Sequence, residues 1–209
     1  MYSDVFGVEG GIEAVKALAD AHLDPVAAAL YAALGDVVRA LEASRDEDSF
    51  LRAVVAYHLL AEGSIGRANQ NFVAAQFDRV GSFPGLREAQ RLAVRDEVRH
   101  IGIGVSYARR RLARDGASAR AVIEEIVEAF HTLGHSLLEH AAPDLVDRFV
   151  GAYGADPVTL WAEVLRQLRL RLRSIGLSEA WSRPDVPIDR QVEYGRRGRR
   201  GVCGRARWR

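Results

Sequence analysis

The sequence has little cysteine and no long apolar run, and each shortage excludes a class of protein. Its 209 residues include one cysteine, Cys203, which excludes an internal disulfide framework and any cysteine-rich metal or iron–sulfur site. No apolar run reaches the roughly 18 residues that a membrane span needs, and the first residues (MYSDVFGVEGG) lack the basic-then-apolar order of a signal peptide. We therefore expect a cytoplasmic chain without a membrane span.

Charge is distributed unevenly along the chain. The whole sequence has 29 basic and 28 acidic residues, a net charge of +1. Residues 195–209 (GRRGRRGVCGRARWR) contain seven arginines and no acid, so residues 1–194 have 22 basic and 28 acidic residues, a net charge of −6. Proline, glycine and arginine dominate from residue 182 onward, which is typical of disorder. We expect a folded domain over residues 1–180 and a disordered basic tail over 181–209.

The rest of the sequence predicts helices almost throughout. It contains few prolines and no sustained alternation of apolar and polar residues, which a sheet would require. Asp24-Pro25 has the composition of a helix start, residues 44–47 (SRDE) have capping-box spacing, and residues 81–85 (GSFPG) form a break. These signals predict an all-α chain, with helices over about residues 12–22, 25–43, 47–78, 85–114, 118–142 and 157–175.

Two of these helices carry ionisable side chains on their apolar faces. At about 100° per residue, Glu97 lies near the centre of the apolar face of the helix predicted over 85–114, and His100 lies at its edge. Glu62 and His58 lie within the stripe of the helix predicted over 47–78, as does Asn69. The two stripes consist of Phe50, Val54, Ala61, Ile65, Ala68 and Phe72 on the first helix, and of Leu86, Ala93, Val94, Ile101, Gly104, Val105, Ala108 and Leu112 on the second.

These inward side chains match half of a known helical metal site. An isolated buried carboxylate is costly, so it is usually protonated, paired or bound to a metal. In four-helix dimetal proteins, two helices each give a Glu and the other two each give a Glu-x-x-His. Since carboxylate and imidazole together suit iron or manganese, we predict a metal site at Glu62, Glu97 and His100. The alternative is a structural ion pair, and His58 is interpreted as a packed, hydrogen-bonded histidine.

A second Glu-x-x-His lies at Glu128 and His131, with Glu124 and His135 on the same side of its helix. The apolar face of that helix lies more than about 90° away. We therefore predict a solvated face there and no metal site. That apolar face consists of Ile123, Ile126, Val127, Phe130, Leu133 and Leu137.

Two stretches, FPGLREAQRLAVRDEVRHIGIGV and AVVAYHLLAEGSIGRANQNF, resemble the second half of certain ferritin-like dimetal proteins. These are the radical-generating small subunit of class I ribonucleotide reductase and the related ligand-binding oxidases. The resemblance covers about residues 20–140. It rests on Tyr-x4-Glu-Gly at residues 57–63, on Arg-Asp-Glu-x-x-His at residues 95–100, and on the 35-residue step from Glu62 to Glu97.

The resemblance implies a role for five residues. Glu62, Glu97 and His100 are the implied ligands of the second metal. Asp96 is implied to be an acceptor that orients a partner histidine, and Tyr57 resembles the tyrosine near the metals of the ligand-binding oxidases. The implied cofactor is two irons, or manganese with iron, which activates dioxygen to form a tyrosyl radical or a higher-valent metal pair, or to oxidise a long-chain ligand. A reductase partner subunit and a homodimer are further expectations.

The first half of the family's ligand set has no counterpart in this chain. The family has its first Glu-x-x-His roughly 60 residues before the second-half Glu, whereas no Glu-x-x-His precedes Glu97 here. We therefore expect an N-terminally incomplete ferritin-like bundle, a fragment with half of the site. Such a half-site suits one weakly held ion, or none, unless a second chain completes it.

Two other functions stay open. One is a non-enzymatic helical remnant or interaction module, since the loss of two helices would expose an apolar face and favour self-association. The other is nucleic-acid binding by residues 195–209, whose seven arginines would give a salt-dependent attraction without sequence preference. Only Trp208 is available there for stacking on bases, so we expect no nucleic-acid partner.

Overall fold

The computed structural model describes residues 11–22, 25–81, 84–140 and 157–177, and every regular element in these ranges is helical. The all-α prediction is thus confirmed for this part of the chain, and the helix boundaries agree with the predicted ones within two residues. The tail predicted over 181–209 lies outside the described residues. The elements are α1 (Gly11–His22), α2 (Pro25–Ser44), α3 (Glu47–Val54), a π-helical segment (Val55–Gly66), α4 (Arg67–Val80), α5 (Pro84–Asp115), α6 (Ala117–His140) and α7 (Pro157–Ser174).

Contacts divide the chain into two compact units, Met1–Asp36 and Val37–Arg209. The first contains α1 and most of α2. The second contains the end of α2, the helices α3 to α7 and every candidate site residue. The sequence prediction had a single domain over residues 1–180, without a boundary at this point. In the described ranges, no helix is long and apolar enough to cross a membrane.

One unbroken helix over residues 47–80 is built from α3, the π segment and α4. It begins after Asp46, whose carboxylate accepts a hydrogen bond from the backbone N–H of Ser49 (N···O 2.7 Å). The N-cap is therefore Asp46 and not Ser44, the residue that capping-box spacing favours. The helix ends at Gly81, which has the left-handed conformation (φ 67°) that glycine adopts without steric cost.

The π segment changes which side chains of this helix are buried. A π-helix has more residues per turn than an α-helix, so the buried face rotates along it. Phe50 and Asn69 belong to the predicted apolar stripe but are exposed, while Leu51 and Leu59 are fully buried outside that stripe. The stripe prediction was wrong at these positions because it applied one α-helical period to the whole helix.

The hydrophobic core of the second unit forms where α3 and the π segment meet α5, α6 and α7. Its aliphatic side chains are joined by Phe130 of α6 and Trp161 of α7, whose ring centroids lie 5.5 Å apart. The π segment thus has packed helices on several sides. The buried core residues of this segment are Val55, Leu59 and Leu60.

The apolar face predicted for α5 is buried only in the second half of the helix. Leu86, near its start, is 57% exposed. Arg111, which the sequence analysis did not place on the buried face, is only 5% exposed. Its guanidinium donates to the carboxylates of Asp48 and Asp115, at 2.7 and 2.6 Å, and so ties α3 to the end of α5. The other buried residues of α5 are Ile101, Gly104 and Ala108.

Candidate functional site

Glu62 lies in the π segment and contacts an imidazole at each of its carboxylate oxygens. Its side chain is 13% exposed. Oε2 lies 3.0 Å from Nδ1 of His58, one turn earlier on the same helix, and Oε1 lies 3.3 Å from Nδ1 of His100 on α5. The structure therefore brings together Glu62 and His100, two of the three predicted ligands. His58 is hydrogen-bonded, as the sequence analysis interpreted it.

The absence of a side chain at Gly104 allows this contact. A Cβ atom at that position would lie 2.4 Å from the Cβ of His58 and 3.0 Å from Cδ1 of Leu59, closer than packed carbon atoms approach. α5 can therefore lie against the π segment at this distance only because residue 104 is glycine. His100 lies one turn before Gly104, so the close approach places its imidazole beside Glu62.

Glu97, the third predicted ligand, turns toward a different partner. Its Oε2 accepts a hydrogen bond from the side-chain amide of Gln70, which is buried and itself accepts from Arg67 (3.4 Å). Burial raises the pKa of Glu97 and the charge of Glu62 raises it further, while Gln70, Arg67 and His100 act in the opposite direction. The two carboxylates are thus close enough to repel one another without sharing a partner.

Sequence reasoning missed Gln70. On an α-helical wheel it lies opposite the predicted apolar stripe, and glutamine usually occupies exposed positions. The rotation of the buried face by the π segment brings Gln70 inward. Only a helical wheel drawn with more residues per turn over residues 55–66 would have predicted that Gln70 is buried.

Tyr57 and Asp96 lie at the rim of this cluster. Tyr57 is 54% exposed, but the charge of Glu62, more than burial, raises the pKa of its phenol. The side chain of Asp96 is 61% exposed, with its carboxylate 3.3 Å from Arg99 and 3.8 Å from Nε2 of His100. Because 3.8 Å is too long for a hydrogen bond, Asp96 orients no histidine within the described residues.

The effect of the Glu62 charge on Tyr57 predicts a measurable titration. Glu62→Gln should lower the pKa of Tyr57 toward its ordinary value of 10.0, because the largest cause of the increase is the Glu62 charge. A pH titration of the tyrosine 13Cζ resonances would measure this. Glu88→Gln, which changes an exposed carboxylate on α5, is the control and should leave the titration unchanged. Equal titrations in the two variants would show that the charge of Glu62 does not raise the pKa of Tyr57.

The donor set does not fit a metal pair by itself. In the part of the chain that the structure describes, no group of three or more His, Cys, Asp or Glu side chains is arranged to hold a metal ion. Glu62 shares its two oxygens between two imidazoles, and Glu97 bonds to Gln70. Two carboxylates would neutralise two closely spaced ions poorly, so these residues suit one ion at most.

The helix face that carries the second Glu-x-x-His is exposed at one position and buried at another. Glu124 is exposed and pairs with Arg120 (3.6 Å), as predicted for a solvated face. His131, however, is buried, and its ring lies 6.4 Å from that of Trp161. The prediction of a solvated face was therefore wrong at His131, because α7 covers this side of α6. The side chain of His135 lies outside the described residues.

Comparison with known proteins gives no relative for this chain: no family model, curated protein or solved structure matches it. The ferritin-like resemblance of the two sequence stretches therefore stays a prediction.

Proposed function

We propose that this chain carries one half of a carboxylate–histidine metal site of the ferritin-like type, with Glu62, Glu97 and His100 as ligands. The observation that supports this is the meeting of Glu62 and His100 across the interface between the π segment and α5. Burying a carboxylate lowers the stability of the fold unless a hydrogen bond, an opposite charge or a metal ion compensates for the lost hydration. Ligands on facing helices that point into a bundle are the arrangement by which helical proteins hold metal ions.

The π-helical geometry supports the same proposal. π-helical turns are rare and occur frequently at functional sites. In this chain the π segment covers 12 residues and contains Tyr57, His58 and Glu62. One of the three proposed ligands, Glu62, thus lies where the helix departs from the ordinary hydrogen-bond pattern, together with Tyr57 and His58.

The proposed activity is metal-dependent oxidation with dioxygen, as in the ribonucleotide reductase small subunits and ligand-binding oxidases that the sequence resembles. Iron, or manganese with iron, supplies one-electron redox chemistry when bound to carboxylates and imidazoles. In this chain Glu62 and His100 would hold an ion, and Glu97 would join them on leaving Gln70. Tyr57 would present its phenol beside Glu62.

A homodimer belongs to this proposal, because chemistry by a metal pair needs more donors than the described residues bring to the site. A second copy, or another chain, would supply the remaining carboxylates and imidazole. Dioxygen, a long-chain ligand and a reductase subunit are the proposed partners, and the cytoplasm is the proposed location.

Metal analysis of the purified protein tests the proposal. After loading with Fe²⁺, or with Mn²⁺ and Fe²⁺, and removal of excess metal, the unmodified protein should retain about one ion per chain. Glu62→Ala and His100→Ala should each reduce the bound metal by about tenfold or more. Glu88→Ala, on the exposed side of α5, should bind as the unmodified protein does. A stoichiometry near zero in the unmodified protein would end the proposal.

A second candidate is a non-enzymatic interaction module, and the exposed apolar side chains of the second unit favour it. Single exposed apolar residues are ordinary, whereas a contiguous apolar patch is typical of an interaction surface. The number of large exposed apolar side chains in the second unit is what supports this candidate. Under this alternative, sedimentation would show an oligomer that Glu97→Ala leaves unchanged, and the protein would bind no metal. The exposed side chains include Phe50, Tyr57, Leu92, Val98 and Ile103.

A further inference from the structure

Two arginines, Arg67 and Arg171, are partly buried on the facing helices where the helix of the π segment packs against α7. Arg171 of α7 donates from Nε to the backbone carbonyl of Gly63 (3.3 Å) and from Nη2 to Oε1 of Gln167 (3.2 Å). Arg67, the first residue of α4, donates to Oε1 of Gln70 (3.4 Å). All three acceptors are uncharged, so neither guanidinium is neutralised by these contacts.

Neither Arg67 nor Arg171 forms an ion pair with a described carboxylate, which distinguishes these two partly buried arginines from Arg52 and Arg111. Burial lowers the pKa of Arg171, and the positive charge of Arg67 lowers it further. The charge of Arg67 acts on the Glu97 carboxylate, whereas Arg171 has no described counter-ion. An incompletely solvated charge without a counter-ion is unfavourable, and a second charge of the same sign makes it more so. Arginines of the second unit that do pair with a carboxylate include Arg52, Arg111, Arg114 and Arg166.

The surroundings hold Arg171 in a defined position. A Cβ atom at Gly63 would lie 3.3 Å from Cγ and Cδ of Arg171, so the aliphatic part of the arginine lies directly against the π segment. Gln167 is buried; its amide nitrogen donates to Glu163 (2.9 Å) while its oxygen accepts from Arg171 (3.2 Å). The guanidinium is therefore oriented before any ligand arrives, which reduces the entropy cost of binding.

We propose that Arg67 and Arg171 bind an oxyanion, the carboxylate or phosphate group of a small-molecule ligand. The planar guanidinium presents parallel N–H donors that match either group. An anion beside both side chains would replace their mutual repulsion with two attractions. Neither arginine is a proposed metal ligand, but Arg67 is linked to the ligand Glu97 through Gln70, so only Arg171 is separate from the proposed metal site.

Thermal unfolding and calorimetric titration with inorganic phosphate, at ionic strength held constant with chloride, test the oxyanion site. Phosphate should raise the Tm of the unmodified protein. Arg171→Met and, separately, Arg67→Met should weaken phosphate binding by about tenfold or more, because each removes charge-assisted hydrogen bonds. Arg173→Met, at an exposed position two residues after Arg171, should leave it unchanged. A parallel titration with acetate shows whether the site prefers a carboxylate or a phosphate.

The Tm without anion separates a binding role from a structural one. If Arg171 binds the anion and does not stabilise the fold, Arg171→Met should leave this Tm unchanged or raise it. Methionine fills the same space without a desolvated charge. Glu62→Ala should keep full phosphate binding, so failure of the metal site would not affect this result. The proposal is overturned if neither phosphate nor acetate binds the unmodified protein, or if the Arg173→Met variant loses as much affinity as the other two variants.

Discussion

Arg111→Ala is expected to lower the free energy of unfolding by about 2–4 kcal/mol. Arg111 is 5% exposed and donates to the Glu47 carbonyl (2.5 Å) and to the carboxylates of Asp48 (2.7 Å) and Asp115 (2.6 Å). Truncation would remove all three contacts and leave the two carboxylates without their shared cation. Because these contacts join the start of α3 to the end of α5, their loss should loosen the two helices that carry the candidate site.

Arg114→Ala is the matched control for Arg111→Ala. Arg114 pairs with Glu47 and Asp115 as Arg111 does, but its side chain is 55% exposed. Arg114 and Arg111 together hold the pKa of Asp115 at about 2. Water can replace the exposed contacts of Arg114, so Arg114→Ala should lower the free energy of unfolding only slightly. Urea denaturation followed by circular dichroism would measure both variants, and equal losses would show that Arg111 is not buried.

Gly104→Ala and Gly102→Ala, two residues apart on α5, are expected to change stability in opposite directions. At position 104 the new Cβ would lie 2.4 Å from the Cβ of His58, and such overpacking costs about 1–3 kcal/mol. At position 102 a Cβ would meet nothing within 4 Å. The higher helix propensity of alanine should therefore stabilise Gly102→Ala by up to about 1 kcal/mol.

The same two variants test how the site is assembled. If Gly104 sets the distance between α5 and the π segment, Gly104→Ala should also separate His100 from Glu62 and reduce metal retention, while Gly102→Ala should leave metal retention unchanged. Denaturation midpoints and metal analysis of the same preparations would report both effects. Two equally stable variants would contradict the packing of α5 on the π segment.

Local signals in the sequence were sufficient to predict the helices of the described ranges. Asp24-Pro25, the acidic start near residue 46 and the break at 81–85 each act through the few residues around them, so their effect can be recognised without the rest of the fold. Burial of Glu62, beside His100 on the next long helix, was also predictable from apolar periodicity. The bonding partners were not predictable from periodicity, since it says which face is buried and not which side chains meet there.

The amino-acid sequence alone determined that this chain is helical, where its described helices begin and end, and that Glu62 turns inward. Only the tertiary structure decided that residues 55–66 adopt a π-helix, because that less favourable hydrogen-bond pattern needs the packing of neighbouring helices on several sides. The resulting rotation of the buried face turned Gln70 toward Glu97. Packing between distant helices also buried Arg111 beside Asp48 and Asp115 and left Arg171 without an ion pair to a described carboxylate. The partners of a charged side chain depend on residues far away in sequence, so periodicity could not predict them.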